Sequence, residues 1–186
     1  MTSESEGLTS DDRAMTRRTD TDSTAAGVLA ALRAAGATVA VAESLTGGLL
    51  SAALTGPAGA SAAFRGGLVV YASDLKVSLA GVPAPLLAAE GAVSPDVAGA
   101  LAAGARDRLG ATYGLSLTGV AGPDRQGEAE VGVVYVGLAG PGGGEVRRLS
   151  LTGDRDRIRA GAVDGALALL AERLTGAGRT SRVPIG

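Results

Sequence analysis

The chain has 186 residues, 17 basic and 19 acidic, with neither histidine nor cysteine. This excludes disulfides, thiol nucleophiles, histidine general bases and zinc held by histidine or cysteine. A net charge of −2 with no stripe of basic residues argues against a nucleic-acid binder that works by neutralising phosphates.

Hydrophobic residues make up 46% of the chain and aromatics only 2%, so a globular core must be filled by Ala, Val and Leu. Residues 1–22 are acidic and rich in hydroxyls and read as a disordered tail. Met15 is an alternative start to Met1. Residues 177–186 read as a second flexible tail, which leaves 23–176 as one domain. No window approaches the roughly eighteen uninterrupted apolar residues of a membrane span, and no secretory signal is recognisable. A cytoplasmic protein is expected.

The first helix is predicted over Thr24 to Ala35, where Val28, Leu29 and Leu32 share a face and Gly36 stands at the C′ position. TVAVAES reads as a short buried strand, and TGGLLSAALTG as a helix starting just after Ser44. GGLVVYA reads as a second strand ending near Tyr71, followed by a short helix from Asp74 that carries Lys76. Ser94-Pro95-Asp96 is a strong helix start, with a capping Ser, Pro at the first helical position and an acid in the first turn. That helix should end at Gly110. ATYGLSLTG reads as a third strand. VGVVYVGLA and GEVRRLSLTG form a hairpin around Gly140-Pro141-Gly142-Gly143, and a last helix runs from Asp154 to Leu174. Strands alternating with helices, plus one hairpin, predict an α/β fold: a three-layer α/β/α sandwich with a mixed sheet.

Four segments could carry chemistry. Glu43-Ser44-Leu45-Thr46-Gly47-Gly48 lies between a strand and a helix, the rim where open α/β sheets bind ligands. Gly47 and Gly48 would let a substrate approach the backbone, and N–H groups at the helix start could hold an oxyanion or phosphate. A capped helix after a glycine turn explains the same residues equally well. Neither a Walker A loop nor a GxSxG elbow is present. Tyr71-Ala72-Ser73-Asp74-Leu75-Lys76 contains the single lysine. A desolvated lysine can lose its proton near neutral pH, which arginine cannot, and Ser with neutral Lys is a nucleophile pair that needs no histidine. An ordinary surface lysine fits the composition as well. Thr118-Gly119-Val120-Ala121-Gly122-Pro123-Asp124 follows another strand and reads either as a ligand-wrapping loop or as a plain turn. Arg155, at the start of the last helix, could grip a phosphate or belong to a solvated first turn.

Taken in order, ESLTGGLL, GPAGASAAFRGGLVVYASDLK, GAVSPDVAGALAAGARDRLGA, LTGVAGPD, VGVVYV and LTGDRDRIR resemble the CinA C-terminal domain family, over about Thr24 to Leu174. The resemblance implies a nicotinamide mononucleotide deamidase, an amidohydrolase that forms nicotinate mononucleotide and ammonia with neither metal nor cofactor. It implies Ser44 as nucleophile and Lys76 as base, acting directly or through Tyr71. The oxyanion would be held by Thr46, Gly47 and Gly48, and the substrate by Thr118, Gly119 and Arg155, the last on its phosphate. The implied partner is a small pyridine mononucleotide, with no nucleic acid and no membrane, and a homo-oligomer is compatible with all of this. The loop after Pro123 is shorter than the family usually has, and Ala129-Glu130 stand where Lys-Pro is common. Two other functions stay open: a non-catalytic interaction protein of competence or DNA-damage responses, and an amidohydrolase for another small amide.

Overall fold

A computed structural model of the chain describes residues 10–176. Its helices are α1 Ser10–Ala34, α2 Leu49–Thr55, α3 Ser73–Ser78, α4 Ala84–Glu90, α5 Pro95–Leu109 and α6 Arg155–Thr175. Its strands are β1 Val39–Glu43, β2 Phe64–Val69, β3 Tyr113–Gly119, β4 Val133–Ala139 and β5 Glu145–Ser150. The sheet order is β2-β1-β3-β4-β5. β1 pairs parallel to β2 and β3, and β4 pairs antiparallel to β3 and β5. The expected mixed sheet and α/β/α layering are what the chain forms.

The alternation of side chains along each strand divides the core. Val39, Val41, Leu115, Leu117, Val134 and Val136 face α1, α2 and α6. Ala40 and Ala42 point the other way, into a smaller cluster with Val97, Leu101 and Ala105 of α5. The second face is built for close approach. A Cβ at Gly114 or Gly137 would run into the backbone carbonyls of Ala102 and Ala98, and Ser116 Oγ donates to the Ala98 carbonyl at 2.6 Å. The abundant Gly and Ala thus let α5 lie directly on the sheet.

The caps of α5 follow the expectation. Ser94 Oγ accepts from Val97 N–H, Pro95 opens the helix, and Gly110 closes it in the left-handed conformation at φ 61°. Two helix starts differ. α1 begins at Ser10 rather than near Thr24, so residues 10–22 are helical where a disordered tail was expected. No Pro or Gly interrupts 10–26, and Thr21 Oγ1 donates to Asp164 Oδ1 of α6 at 2.6 Å. Apolar periodicity starts only where the interior does, at Ala25. The expectations for residues 1–9 and 177–186 lie outside the described residues.

α2 begins at Leu49 instead of just after Ser44, because Gly47 and Gly48 have φ of 60° and 104°. These left-handed values make a turn rather than a first helical turn. β2 likewise ends at Val69, two residues before Tyr71, and the short α4 was not anticipated. Among the described residues, no helix is long and apolar enough to cross a membrane.

Candidate active site

The site is assembled at the C-terminal ends of the three parallel strands. Ser44 directly follows β1 and extends its pairing: its N–H donates to the Leu117 carbonyl of β3 at 3.0 Å. Val70 N–H donates to the Glu43 carbonyl at 2.8 Å, which carries the β1–β2 ladder one step further. Beyond Val70 the chain turns into α3, and Lys76 reaches back from that helix beneath the strand ends.

Lys76 is 1% exposed. Its Nζ donates to Ser44 Oγ at 3.1 Å, to the Val70 carbonyl at 2.8 Å and to the Tyr71 carbonyl at 3.3 Å. No carboxylate forms an ion pair with it among the described residues. Burial without a counter-charge disfavours the ammonium form, so its pKa lies below the ordinary lysine value of 10.5. Residues 32 positions apart in sequence are thus in hydrogen-bond contact, with the amine poised to titrate more readily than a surface lysine.

The turn after Ser44 is held from two sides. Glu43 is fully buried. Its carboxylate accepts from Gly48 N–H at 3.0 Å, Leu50 N–H at 3.1 Å, Ser51 N–H at 2.8 Å and Ser51 Oγ at 2.6 Å. It occupies the free donors of the α2 N-terminus, where a buried carboxylate is stabilised by charge-assisted hydrogen bonds and the helix dipole. On the other side, Arg159 of α6 donates from Nε to the Leu45 carbonyl at 3.1 Å and from Nη2 to the Thr46 carbonyl at 2.9 Å.

These contacts engage two of the expected oxyanion donors. Gly48 N–H is taken by Glu43, and Gly47 N–H donates to the Ser44 carbonyl at 3.2 Å. Of the trio Thr46, Gly47 and Gly48, only Thr46 keeps an N–H without an acceptor. Of the two expected routes between Lys76 and Ser44, direct or through Tyr71, the first has a contact. Lys76 touches Ser44 directly, whereas the exposed Tyr71 phenol points to Arg155, whose Nη2 donates to the hydroxyl at 3.5 Å.

Thr118, expected to hold the substrate, is placed at the end of β3. Its buried hydroxyl donates to the Ala92 carbonyl and ties β3 to the segment leading into α5. Gly119 does line the cavity, where β4 crowds it: a Cβ there would meet the Val133 carbonyl and the Val134 backbone.

The cavity beside Ser44 measures about 280 Å³ and is lined by Ser44, Leu45, Tyr71, Gly119, Arg125 and Arg155 among others, near the lower bound for small-molecule sites of about 300 Å³. Arg155 ties two of its walls together, since Nη1 donates to the Gly122 carbonyl at 2.7 Å. A larger open groove of about 1290 Å³ runs between α1, α2 and α6 past Ala26, Leu49, Ala53 and Gly161, and neither Ser44 nor Arg155 lines it.

Sequence reasoning placed Glu43 in the candidate segment without giving it a role, and it missed Arg159 and Arg125. A signal existed for Arg159, which lies four residues after Arg155 and therefore on the same helical face. The role of Glu43 could be found only by recognising that a carboxylate ending an apolar strand needs donors. Among the described residues no group of three His, Cys, Asp or Glu side chains could hold a metal ion.

Residues 21–174 match the model of the CinA C-terminal domain. The chain is 58% identical to a CinA-like protein of Frankia casuarinae over 149 residues, which covers 80% of this chain and 34% of that relative. It is 48% identical to a CinA-like protein of Myxococcus xanthus, over 87% of this chain and 39% of the relative. The chain therefore spans little more than a third of the length of these relatives.

Among solved structures, the competence damage-inducible protein A of Klebsiella pneumoniae superposes with a TM-score of 0.80 at 34% identity, covering 83% of this chain and 97% of that one. The competence/damage inducible protein of Agrobacterium tumefaciens gives the same TM-score and identity, over 84% and 96%.

Proposed function

This chain belongs to the CinA C-terminal domain family, and from that premise we propose that it is an amidohydrolase deamidating nicotinamide mononucleotide. The observation that carries the reading is the contact of a buried lysine without a counter-ion with a serine at a strand C-terminus. The three neighbours of Lys76 Nζ explain how it could work. Two are carbonyl oxygens, which only accept. They take the two N–H groups of a neutral amine and leave its lone pair for the Ser44 hydroxyl proton.

Ser44 Oγ would attack the carboxamide carbon as Lys76 takes its proton. The tetrahedral oxyanion then collapses, the C–N bond breaks, and ammonia leaves with the proton from Lys76. Water attacks the resulting ester, again with Lys76 as base, and regenerates Ser44. A substrate reaching across the cavity brings its phosphate to the wall where Arg155 and Arg125 stand.

The test is ammonia release by the purified protein from nicotinamide mononucleotide, its riboside, free nicotinamide and other small amides. The proposal expects the mononucleotide to be preferred and Ser44→Ala to be inactive. Preference for another amide with the same Ser44 dependence would move the substrate and keep the chemistry. No release from any amide would remove the enzyme reading.

A further inference from the structure

The polar groups of the turn from Ser44 to Gly48 can be traced one by one, since buried backbone groups normally find partners. Ser44 N–H donates to the Leu117 carbonyl, Gly47 N–H to the Ser44 carbonyl and Gly48 N–H to the Glu43 carboxylate. Two successive N–H groups, those of Leu45 and Thr46, meet no acceptor among the described residues. In the same place Thr46 Oγ1 is buried with no hydrogen-bond partner, and Thr46 is fully buried. Leu45 lines the cavity directly beside Ser44.

Arg159 accounts for the Thr46 part of this arrangement, and the Ser44 carbonyl beside the Leu45 N–H is held by Gly47 N–H. The Arg159 guanidinium holds the carbonyls of Leu45 and Thr46 toward α6. A trans peptide is planar, with C=O and N–H on opposite sides, so a Leu45 carbonyl fixed toward α6 aims the Thr46 N–H away from it. Asp156, with Oδ1 at 3.6 Å from Arg159 Nη1, pairs with the same side chain. Glu43 holds the far end of the turn through Gly48. The turn is thus clamped by a buried anion on its N–H side and a cation on its carbonyl side. Successive free N–H groups form an anion-binding nest, and donors held rigid before reaction are the most effective kind for a developing oxyanion.

We infer that the N–H groups of Leu45 and Thr46 form the oxyanion site for Ser44, and that Arg159 is the positioning residue that aims the second of them, the Thr46 N–H, whose peptide carries the Leu45 carbonyl it holds. The inference rests on the amidohydrolase reading. As Ser44 Oγ bonds to the carboxamide carbon, the π pair of the C=O moves to oxygen, and that oxygen accepts from the nest. The pair returns when the C–N bond breaks. Arg159 touches no reacting atom and acts only through the two carbonyls it holds.

The experiment compares wild type with Arg159→Met, which keeps the apolar stem without donors, and Arg159→Lys, which keeps a charge and a donor. Without substrate, amide hydrogen exchange at Gly47, Gly48 and Leu49 should speed up about tenfold or more in Arg159→Met, while core amides of α5 such as Leu101 stay unchanged. Unchanged exchange in the turn overturns the clamp. With substrate, kcat should fall by roughly a hundredfold, as for loss of an oxyanion donor, with KM within about twofold and the midpoint of the pH profile unmoved. Arg159→Lys should recover part of kcat.

A rise in KM alone, or an unchanged kcat, overturns the oxyanion role. Wild type releasing no ammonia from any amide would remove the enzyme reading and the oxyanion role together, and the exchange data would still decide the clamp. Should Arg159→Met fail to fold, Arg159→Lys carries both readouts.

Discussion

Lys76 Nζ lies 3.1 Å from Ser44 Oγ, and the lysine is 1% exposed, so the ionisation state of one residue sets the chemistry available to the other. Burial lowers the Lys76 pKa from 10.5. The neutral amine is the form that can take the Ser44 proton, so kcat/KM should rise with pH through a midpoint below 10.5. Stability carries the same signature. Between the lowered folded value and the unfolded value of 10.5, the unfolded chain binds the extra proton, so stability rises with pH in that window. Urea unfolding across the alkaline range should show this slope in wild type and not in Lys76→Met. An activity profile flat to above pH 10.5 would contradict the assignment of the base.

Glu43→Ala should destabilise the protein by about 2–4 kcal/mol, because it removes a charged cap and strands the buried N–H of Leu50 and the part-buried N–H groups of Gly48 and Ser51. Glu43→Gln keeps one acceptor oxygen but puts an amide NH2 against the Ser51 donors, so an intermediate loss is expected. Denaturant midpoints measure both. A change under about 0.5 kcal/mol, as at an ordinary surface site, would show that the carboxylate does not hold the turn.

Arg155→Ala separates binding of the phosphate from the wall-bracing that Arg155 provides through Gly122 and Tyr71. KM for nicotinamide mononucleotide should rise about tenfold or more, as expected for loss of a charge-assisted contact. KM for the riboside, which lacks the phosphate, should change much less. Equal effects on both substrates would make Arg155 a brace alone.

Much of this fold is legible in local chemistry. Ser94-Pro95 and Gly110 bound α5 because capping and left-handed closure are determined by those residues themselves. The hairpin after Ala139 follows from Pro and three glycines in succession. The α2 start was misplaced because TGGLL continues a helical apolar pattern, and nothing local reports that Gly47 and Gly48 take positive φ.

The site is less legible still. Ser44 and Lys76 meet only because β1 and β2 lie side by side; residue chemistry offered a serine with a neutral lysine as a pair, and the family resemblance, rather than spacing, assigned the two roles. The bond of the Thr118 hydroxyl to Ala92 was not legible, because its motif shows that it ends a strand without showing which way the hydroxyl turns. The N-terminal half of α1 escaped notice because helix formation there does not depend on an apolar stripe.

The central claim is that Lys76 acts as the base for Ser44, and Lys76→Arg tests it most directly. Arginine keeps the positive charge but holds its proton too tightly to act as a base near neutral pH. The measurement is ammonia release from nicotinamide mononucleotide by folded wild-type and Lys76→Arg protein at equal concentration. The account predicts clear turnover by wild type and a fall of roughly three orders of magnitude or more in the variant, as when a member of a nucleophile–base unit is lost. Turnover by Lys76→Arg close to that of wild type would contradict it.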